Sequence, residues 1–150
     1  MPRFESDYGG IKYAAFNPAD DAIVTAGLEG ELVMWDVKSG MRLRDLIGHF
    51  ALVNAVAFEP AGRYLASVSD DQSLRLWKSD SGEPVYFREG HSGPSRDRTA
   101  RLWSTATGEM LHVLEALEGN LSVIRSAKFS HDGQYIVTAS AIKPYGCGIQ

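Results

Sequence analysis

The chain repeats itself. Shifted by 42 residues against its own sequence, it aligns without a gap: Phe16 falls on Phe58, Pro18 on Pro60, Thr25 on Ser67, Glu29 on Asp71, Leu32 on Leu74, Trp35 on Trp77, Gly40 on Gly82 and Gly48 on Gly90. With only 3 tryptophans in 150 residues, a tryptophan match inside an ungapped register is hard to reach by chance. A period of this size restricts the fold to arrays whose units stack on one another, because one such unit cannot bury a core alone. Two partial copies follow. Ser95, Asp97, Trp103 and Gly108 keep the spacings of Ser69, Asp71, Trp77 and Gly82. The run FSHDGQYIVTAS from Phe129 overlays FEPAGRYLASVS from Phe58, with Gly133 on Gly62 and Thr138 on Ser67.

Each full unit reads as short strands divided by turns. In the second, Val53–Phe58 is apolar and rich in β-branched and aromatic residues, and Pro60-Ala61-Gly62 breaks it. Tyr64–Val68 is a second apolar run, closed by Ser69-Asp70-Asp71-Gln72. Ser73–Trp77 alternates, with Leu74 and Leu76 on one face and Ser73, Arg75 and Trp77 on the other. Asp80-Ser81-Gly82 is a further turn, and Val85–Arg88 a fourth, more polar strand. No segment carries a 3.6-residue period with caps, so the expectation is all-β.

Composition narrows the function classes. Hydrophobic residues at 44% and charged residues at 23% suit a folded domain rather than a disordered one. A net charge of -4 argues against a general binder of nucleic acid or of anionic membranes. No apolar run approaches the roughly 18–20 residues that span a bilayer. The opening MPRFESDYGG lacks the apolar stretch of a secretory signal. The single Cys147 excludes an internal disulfide and any multi-cysteine zinc site. The expectation is a soluble, cytoplasmic protein with no cofactor.

A Gly-His near the start of the unit, then a Ser/Thr, an acid in a tight turn and a Trp near the end resemble the WD-repeat family of β-propellers. The residues are Gly48-His49, Ser67, Asp71 and Trp77, then Gly90-His91, Asp97 and Trp103. The Trp-Asp pair itself stands once, as Trp35-Asp36, and Trp77-Lys78 and Trp103-Ser104 depart from it. The likeness covers residues 8–140. It implies antiparallel four-stranded blades and, inside a blade, a hydrogen-bonded chain of Asp, His, Ser/Thr and Trp. Only the second unit holds the full set, His49, Ser67, Asp71 and Trp77. The first keeps Thr25, Glu29 and Trp35, with Asp7 where the His belongs. The third keeps His91, Asp97 and Trp103, and the fourth has Asn120 for the His, plus Thr138. His, Ser and Asp are also the types of a hydrolase triad, but the family pattern gives them a structural role, so no catalytic residue is expected.

The copies set the expected boundaries: 8–48 for blade one, 49–90 for blade two, 91–118 for a truncated blade three, 119–140 for the start of a fourth, and an aberrant tail at 141–150. From His49 to Trp77 is 28 positions, but from His91 to Trp103 only 12, so sixteen residues are absent, those of two inner strands. Two full and two partial blades make an incomplete propeller, open as a monomer, because closed rings take at least about four blades. Such a chain is a fragment, an internally deleted product or a subunit that completes a ring by self-association through open blade edges. The other route is a single rearranged blade built from Thr99–Trp103, Met110–Leu114, Val123–Phe129 and Tyr135–Ala139.

The family role implied is a non-catalytic scaffold binding other proteins. The alternatives are an accessory region of an enzyme whose catalytic domain lies outside this chain, or a deleted product without independent function. The resemblance implies three contact positions per blade on one end of the channel. They fall on Gly10 and Lys12, Leu52 and Asn54, Val123 and Arg125, and, just before the turn acid, on Leu28, Asp70 and Arg96. These are mixed in charge and hold no aromatic anchor. His112 and His131 lack partners at metal-ligand spacing, and Gly27-Leu28-Glu29-Gly30 has neither the length nor the Lys of a phosphate loop.

Overall fold

The computed structural model describes residues 10–89, 99–115 and 122–142, and every regular element among them is a β-strand. Ile11–Phe16 (β1), Ala22–Gly27 (β2), Leu32–Asp36 (β3) and Arg42–Asp45 (β4) form one antiparallel sheet in that order. Val53–Phe58 (β5), Tyr64–Ser69 (β6), Ser73–Lys78 (β7) and Pro84–Glu89 (β8) form the second. The strands are rich in β-branched and aromatic residues, and Pro, Gly, Asp and Ser punctuate them.

The third sheet departs from the expected boundaries. Thr99–Ser104 (β9), Met110–Glu115 (β10), Ser122–Phe129 (β11) and Tyr135–Ile142 (β12) pair in the order β10-β9-β12-β11. The stretches 91–118 and 119–140, expected as two partial blades, thus contribute to one four-stranded sheet. Its register explains the arrangement. β12 sets Ile136 opposite Trp103, Val137 opposite Leu102 and Thr138 opposite Arg101. In blade two, β6 sets Leu65 opposite Trp77, Ala66 opposite Leu76 and Ser67 opposite Arg75. The two registers agree position by position, so the downstream hairpin takes in blade three the place that β5 and β6 hold in blade two.

Trp103 supplies the physical reason. Ten residues before Trp35 and Trp77 the chain has Thr25 and Ser67, but ten before Trp103 it has Gly93, which offers no hydroxyl. Trp103 is 3% exposed and donates its indole N–H to Thr138 Oγ1 at 3.1 Å, 35 residues away in sequence. Without β12 the indole would lose its acceptor and β9 would present an unpaired edge.

The three sheets stack face to face with blade two in the middle. Ala22, Val24, Leu32 and Met34 of blade one meet Val53, Leu65 and Trp77 of blade two. On the other side, Ala66, Val68, Leu74 and Leu76 meet Trp103, Ala127 and Ile136 of blade three. The alternation of β7 therefore divides as the sequence pattern requires, the leucines towards blade three and Trp77 towards blade one. Beyond the stack, Phe16 on blade one is 57% exposed and Val137 on blade three 38%.

The repeat also fixes the turns. Gly30 has φ of 97° and, one period on, Gln72 has φ of 69°. An exposed non-glycine residue is thus held in the left-handed region, at a cost of about 1 kcal/mol or more. Gln72→Gly should raise stability by about 0.5–1 kcal/mol, the relief of strain exceeding the added freedom of the unfolded chain. A urea midpoint at or below that of the parent would show that the turn is unstrained.

The composite blade has its own test. Thr138→Val keeps shape but removes the acceptor of a buried indole, and should cost about 1–3 kcal/mol with a change in Trp103 fluorescence. Chemical denaturation checks it. Wild-type stability together with an unchanged emission spectrum would mean that β12 does not pair with β9.

Candidate functional site

Blade two holds a continuous polar chain in its face towards blade one. The Trp77 indole N–H donates to Ser67 Oγ at 2.8 Å. Ser67 Oγ lies 2.7 Å from His49 Nε2, and His49 Nδ1 lies 2.7 Å from Asp71 Oδ2. With Ser67 accepting from Trp77, its own proton goes to Nε2, so His49 carries its proton on Nδ1 and donates it to Asp71. The His49 and Asp71 side chains are both 0% exposed. The Trp77 and His49 rings meet edge to face, 6.2 Å apart at the centroids. Gly48 is required beside them: a Cβ there would lie 2.9 Å from the indole.

Burial alone would raise the Asp71 carboxyl, but hydrogen bonds from His49 and Ser73 and the attraction of His49 outweigh it. The group is held well below the usual carboxylate range. Ser73 is the member that sequence reasoning missed. Its hydroxyl donates to Asp71 Oδ1 at 2.6 Å and lies 3.2 Å from His49 Nδ1. The signal was present, since alternation puts Ser73 on the Trp77 face, two residues after the acid. Ser69 was missed too: its hydroxyl donates to the Ala51 carbonyl at 2.9 Å and accepts from the Asp71 N–H at 3.1 Å.

The geometry is unsuited to nucleophilic chemistry. Ser67 is 0% exposed and its oxygen is already engaged by Trp77 and His49. A substrate carbonyl cannot reach it.

Among the described residues, the Trp-to-hydroxyl link of this chain recurs in blades one and three. Trp35 donates to Thr25 Oγ1 at 2.8 Å, as Trp103 does to Thr138. Glu29 is exposed and does not join Thr25 and Trp35; with Asp45 and Ile47 it lines a cavity of about 340 Å³. Asp7, His91, Asn120, Arg96 and Asp97 lie outside the described residues, as does Cys147.

At one end of the stack four of the expected contact positions, Lys12, Asn54, Asp70 and Arg125, come together. Each inner strand is irregular at one residue: the register shifts between Ile11 and Tyr13, between Val53 and Ala55, and between Ile124 and Ser126. The residues inside these bulges are Lys12, Asn54 and Arg125, one per blade. A bulge frees its residue from the ladder and re-aims the side chain. The three side chains converge. Lys12 Nζ donates to Asn54 Oδ1 at 3.1 Å, Arg125 Nη1 to the same oxygen at 3.4 Å, and Asn54 Nδ2 to Asp70 Oδ1 at 2.6 Å. The Asp70 N–H is held by the Leu52 carbonyl at 2.8 Å, as the Leu28 N–H is by that of Gly10 at 3.2 Å. Leu28 is 48% exposed and Leu52 half-buried. Val123 lies on the same inner strand as Arg125. No group of three or more His, Cys, Asp or Glu able to hold a metal occurs among the described residues, and they contain no helix long and apolar enough to cross a membrane.

Antiparallel four-stranded sheets stacked face to face, each with a buried indole tied to a hydroxyl on the neighbouring strand, define β-propeller blades. Residues 40–78 and 108–141 match the family model of the WD domain, G-beta repeat. These two stretches are WD repeats, and WD repeats serve as scaffolds for protein–protein interaction. The second match takes in β10, β11 and β12 and ends where a third strand with its Trp would follow; β9, from upstream, fills that place. The chain is 38% identical over 60 residues to "Protein HIR1" of Mycosarcoma maydis, a stretch covering 40% of this chain and 6% of that protein. It is 40% identical over 73 residues to "Nuclear distribution protein PAC1-2" of Uncinocarpus reesii, covering 49% of this chain and 16% of that one. To the human "Serine-threonine kinase receptor-associated protein" it is 36% identical over 73 residues, covering 49% and 21%. The solved structure of U3-55K superposes with a TM-score of 0.71 at 22% identity, over 78% of this chain and 42% of that one. The chain thus spans less than half the length of each of these proteins.

The depressed Asp71 carboxyl makes a pH prediction. Because folding favours the ionised form, its contribution is full above the ordinary carboxylate pKa and is lost as the pH falls below it. Between about pH 6 and pH 3 the protein should lose roughly 1 kcal/mol that Asp71→Asn, already less stable at neutral pH, does not lose. Denaturant titrations at both pH values measure the difference. Parallel losses in the two proteins would remove Asp71 from the acid response.

Proposed function

We propose that this chain is a non-catalytic interaction scaffold whose binding surface is the end of the stack carrying Lys12, Leu28, Leu52, Asn54, Asp70 and Arg125. Val123 and Arg96 stand at equivalent sequence positions and belong to the same reading. The observation that carries it is the convergence on Asn54. Three blades each give up one ladder position at the same place in the inner strand, and the freed side chains meet at one point. A surface assembled from several blades suits recognition of another protein better than any single loop does. In this reading the three blades are part of a longer propeller, and the apolar outer faces at Phe16 and Val137 pack against further blades, or against a second copy by self-association. A cytoplasmic setting fits a chain whose single cysteine leaves it without disulfide support.

Site-specific photo-crosslinking tests the reading. A crosslinker at exposed Leu28 should yield defined protein adducts from a lysate of the source cells. The same group at exposed Asp80, in the turn between β7 and β8 at the opposite end, should yield few. Equal or reversed yields would place binding elsewhere.

A further inference from the structure

We propose that the bulge cluster is an oxyanion-recognition site, taking a carboxylate or phosphoryl group displayed on a partner peptide between Lys12 and Arg125. The proposal rests on reading this end of the stack as the binding surface, and it adds the chemistry of what is bound.

Lys12 and Arg125 come from different outer blades, and both donate to one neutral oxygen, Asn54 Oδ1, at 3.1 Å and 3.4 Å. An amide oxygen positions two like charges side by side without neutralising either. Among the described residues, neither Lys12 nor Arg125 pairs with a carboxylate. The neighbouring acid, Asp70, spends Oδ1 on the Asn54 amide N–H at 2.6 Å. Two cations beside one carboxylate leave the cluster with an excess of positive charge, in a chain whose net charge is -4. Both cations also keep donors to spare. An ammonium has three and a guanidinium five, and one of each is used here. Lys12 is exposed, Arg125 half-buried and Asn54 buried, so the donors open outward from a fixed base. An oxygen of a ligand oxyanion can accept from Lys12 while another accepts from Arg125, in charge-assisted bonds of the stronger kind. The bulge geometry prepares this arrangement, because the three positions are set by backbone irregularities rather than by flexible loops.

Fluorescence anisotropy on the full chain tests the proposal with four labelled probes: hexaglutamate, a phosphoserine hexapeptide, hexalysine and a single-stranded oligonucleotide. Either or both of the first two should bind, and their ratio assigns the oxyanion as carboxylate or phosphoryl; hexalysine should not bind. Lys12→Gln and Arg125→Gln should each weaken that binding about tenfold. Asn54→Asp, which puts an internal carboxylate between the two cations, should abolish it, while Asp70→Asn should strengthen it. Circular dichroism should show all four variants folded. Wild-type affinity in Lys12→Gln, Arg125→Gln and Asn54→Asp would overturn the proposal, as would hexalysine binding or capture of the oligonucleotide alone. Crosslinking at Leu28 by a partner that still binds Lys12→Gln and Arg125→Gln at full strength would retain the surface and discard the oxyanion chemistry. Loss of crosslinking at Leu28 with peptide binding intact would do the opposite.

Discussion

One hydrogen bond recurs in every blade and the rest of the arrangement depends on it: an indole N–H on the third strand donating to a hydroxyl on the second. It appears as Trp35 to Thr25, Trp77 to Ser67 and Trp103 to Thr138, at 2.8, 2.8 and 3.1 Å. Tryptophan brings the largest apolar surface available to a strand, and with it one N–H that must find an acceptor once buried. The acceptor can sit at only one place on the adjacent strand, because a slip of one residue turns it to the other face. A single buried donor thus fixes the register of the central pair. That register in turn decides which residues face each neighbouring blade.

Blade three demonstrates the strength of this constraint. Its strands are not consecutive, and the inner pair arrives after the outer pair in the chain. Sequence proximity favours other pairings, since closing a longer loop costs entropy, though the cost grows only slowly with length. Burial of Trp103 and Ile136 against Leu74 and Leu76 of blade two outweighs it. A blade with no inner strands would leave β9 as an unpaired edge and uncover the adjoining face of blade two. The hairpin β11–β12 removes both defects in one step, which is why two incomplete repeats yield one complete sheet.

Blades one and two were legible in the sequence because their information is local. The 42-residue register placed every strand, the alternation of Ser73–Trp77 assigned both faces of β7, and the family pattern implied the His49, Ser67, Asp71 and Trp77 chain that the structure brings within bonding distance. The pairing of β12 with β9 was not legible in the same way. The order of copies along the chain says two partial units and leaves the rearranged blade as the other route; the absence of a hydroxyl at Gly93 favours that route, because Trp103 must find its acceptor elsewhere. Glu59 was also unforeseen, a carboxylate 3% exposed at the end of β5 and tied to Arg63 at 2.8 Å. Its turn position reads as solvent-facing, and only the packing of blade three on blade two covers it. At the candidate site, the positions of Lys12, Asn54 and Arg125 followed from the family pattern. Their meeting at one oxygen did not, because bulges leave no signature in a period-two pattern.

The two kinds of constraint act on separate atoms. Register and stacking are held by buried groups on the second and third strands, where an altered residue disturbs a donor, an acceptor or a packed face. The bulge residues of the inner strands lie outside that ladder. Their backbone geometry is repeated in three blades while the side chain changes from Lys to Asn to Arg, so the fold does not depend on which polar group stands there. On the proposed reading, a scaffold built in this way alters what it recognises by substituting one residue per blade. Lys12 and Arg125 also lie on opposite sides of the middle blade and meet only through Asn54, so their spacing is a property of the stack rather than of either blade alone. The chemistry presented at the mouth therefore depends on all three sheets being in place, and the rearranged third blade, which carries Arg125 on its inner strand, completes the cluster.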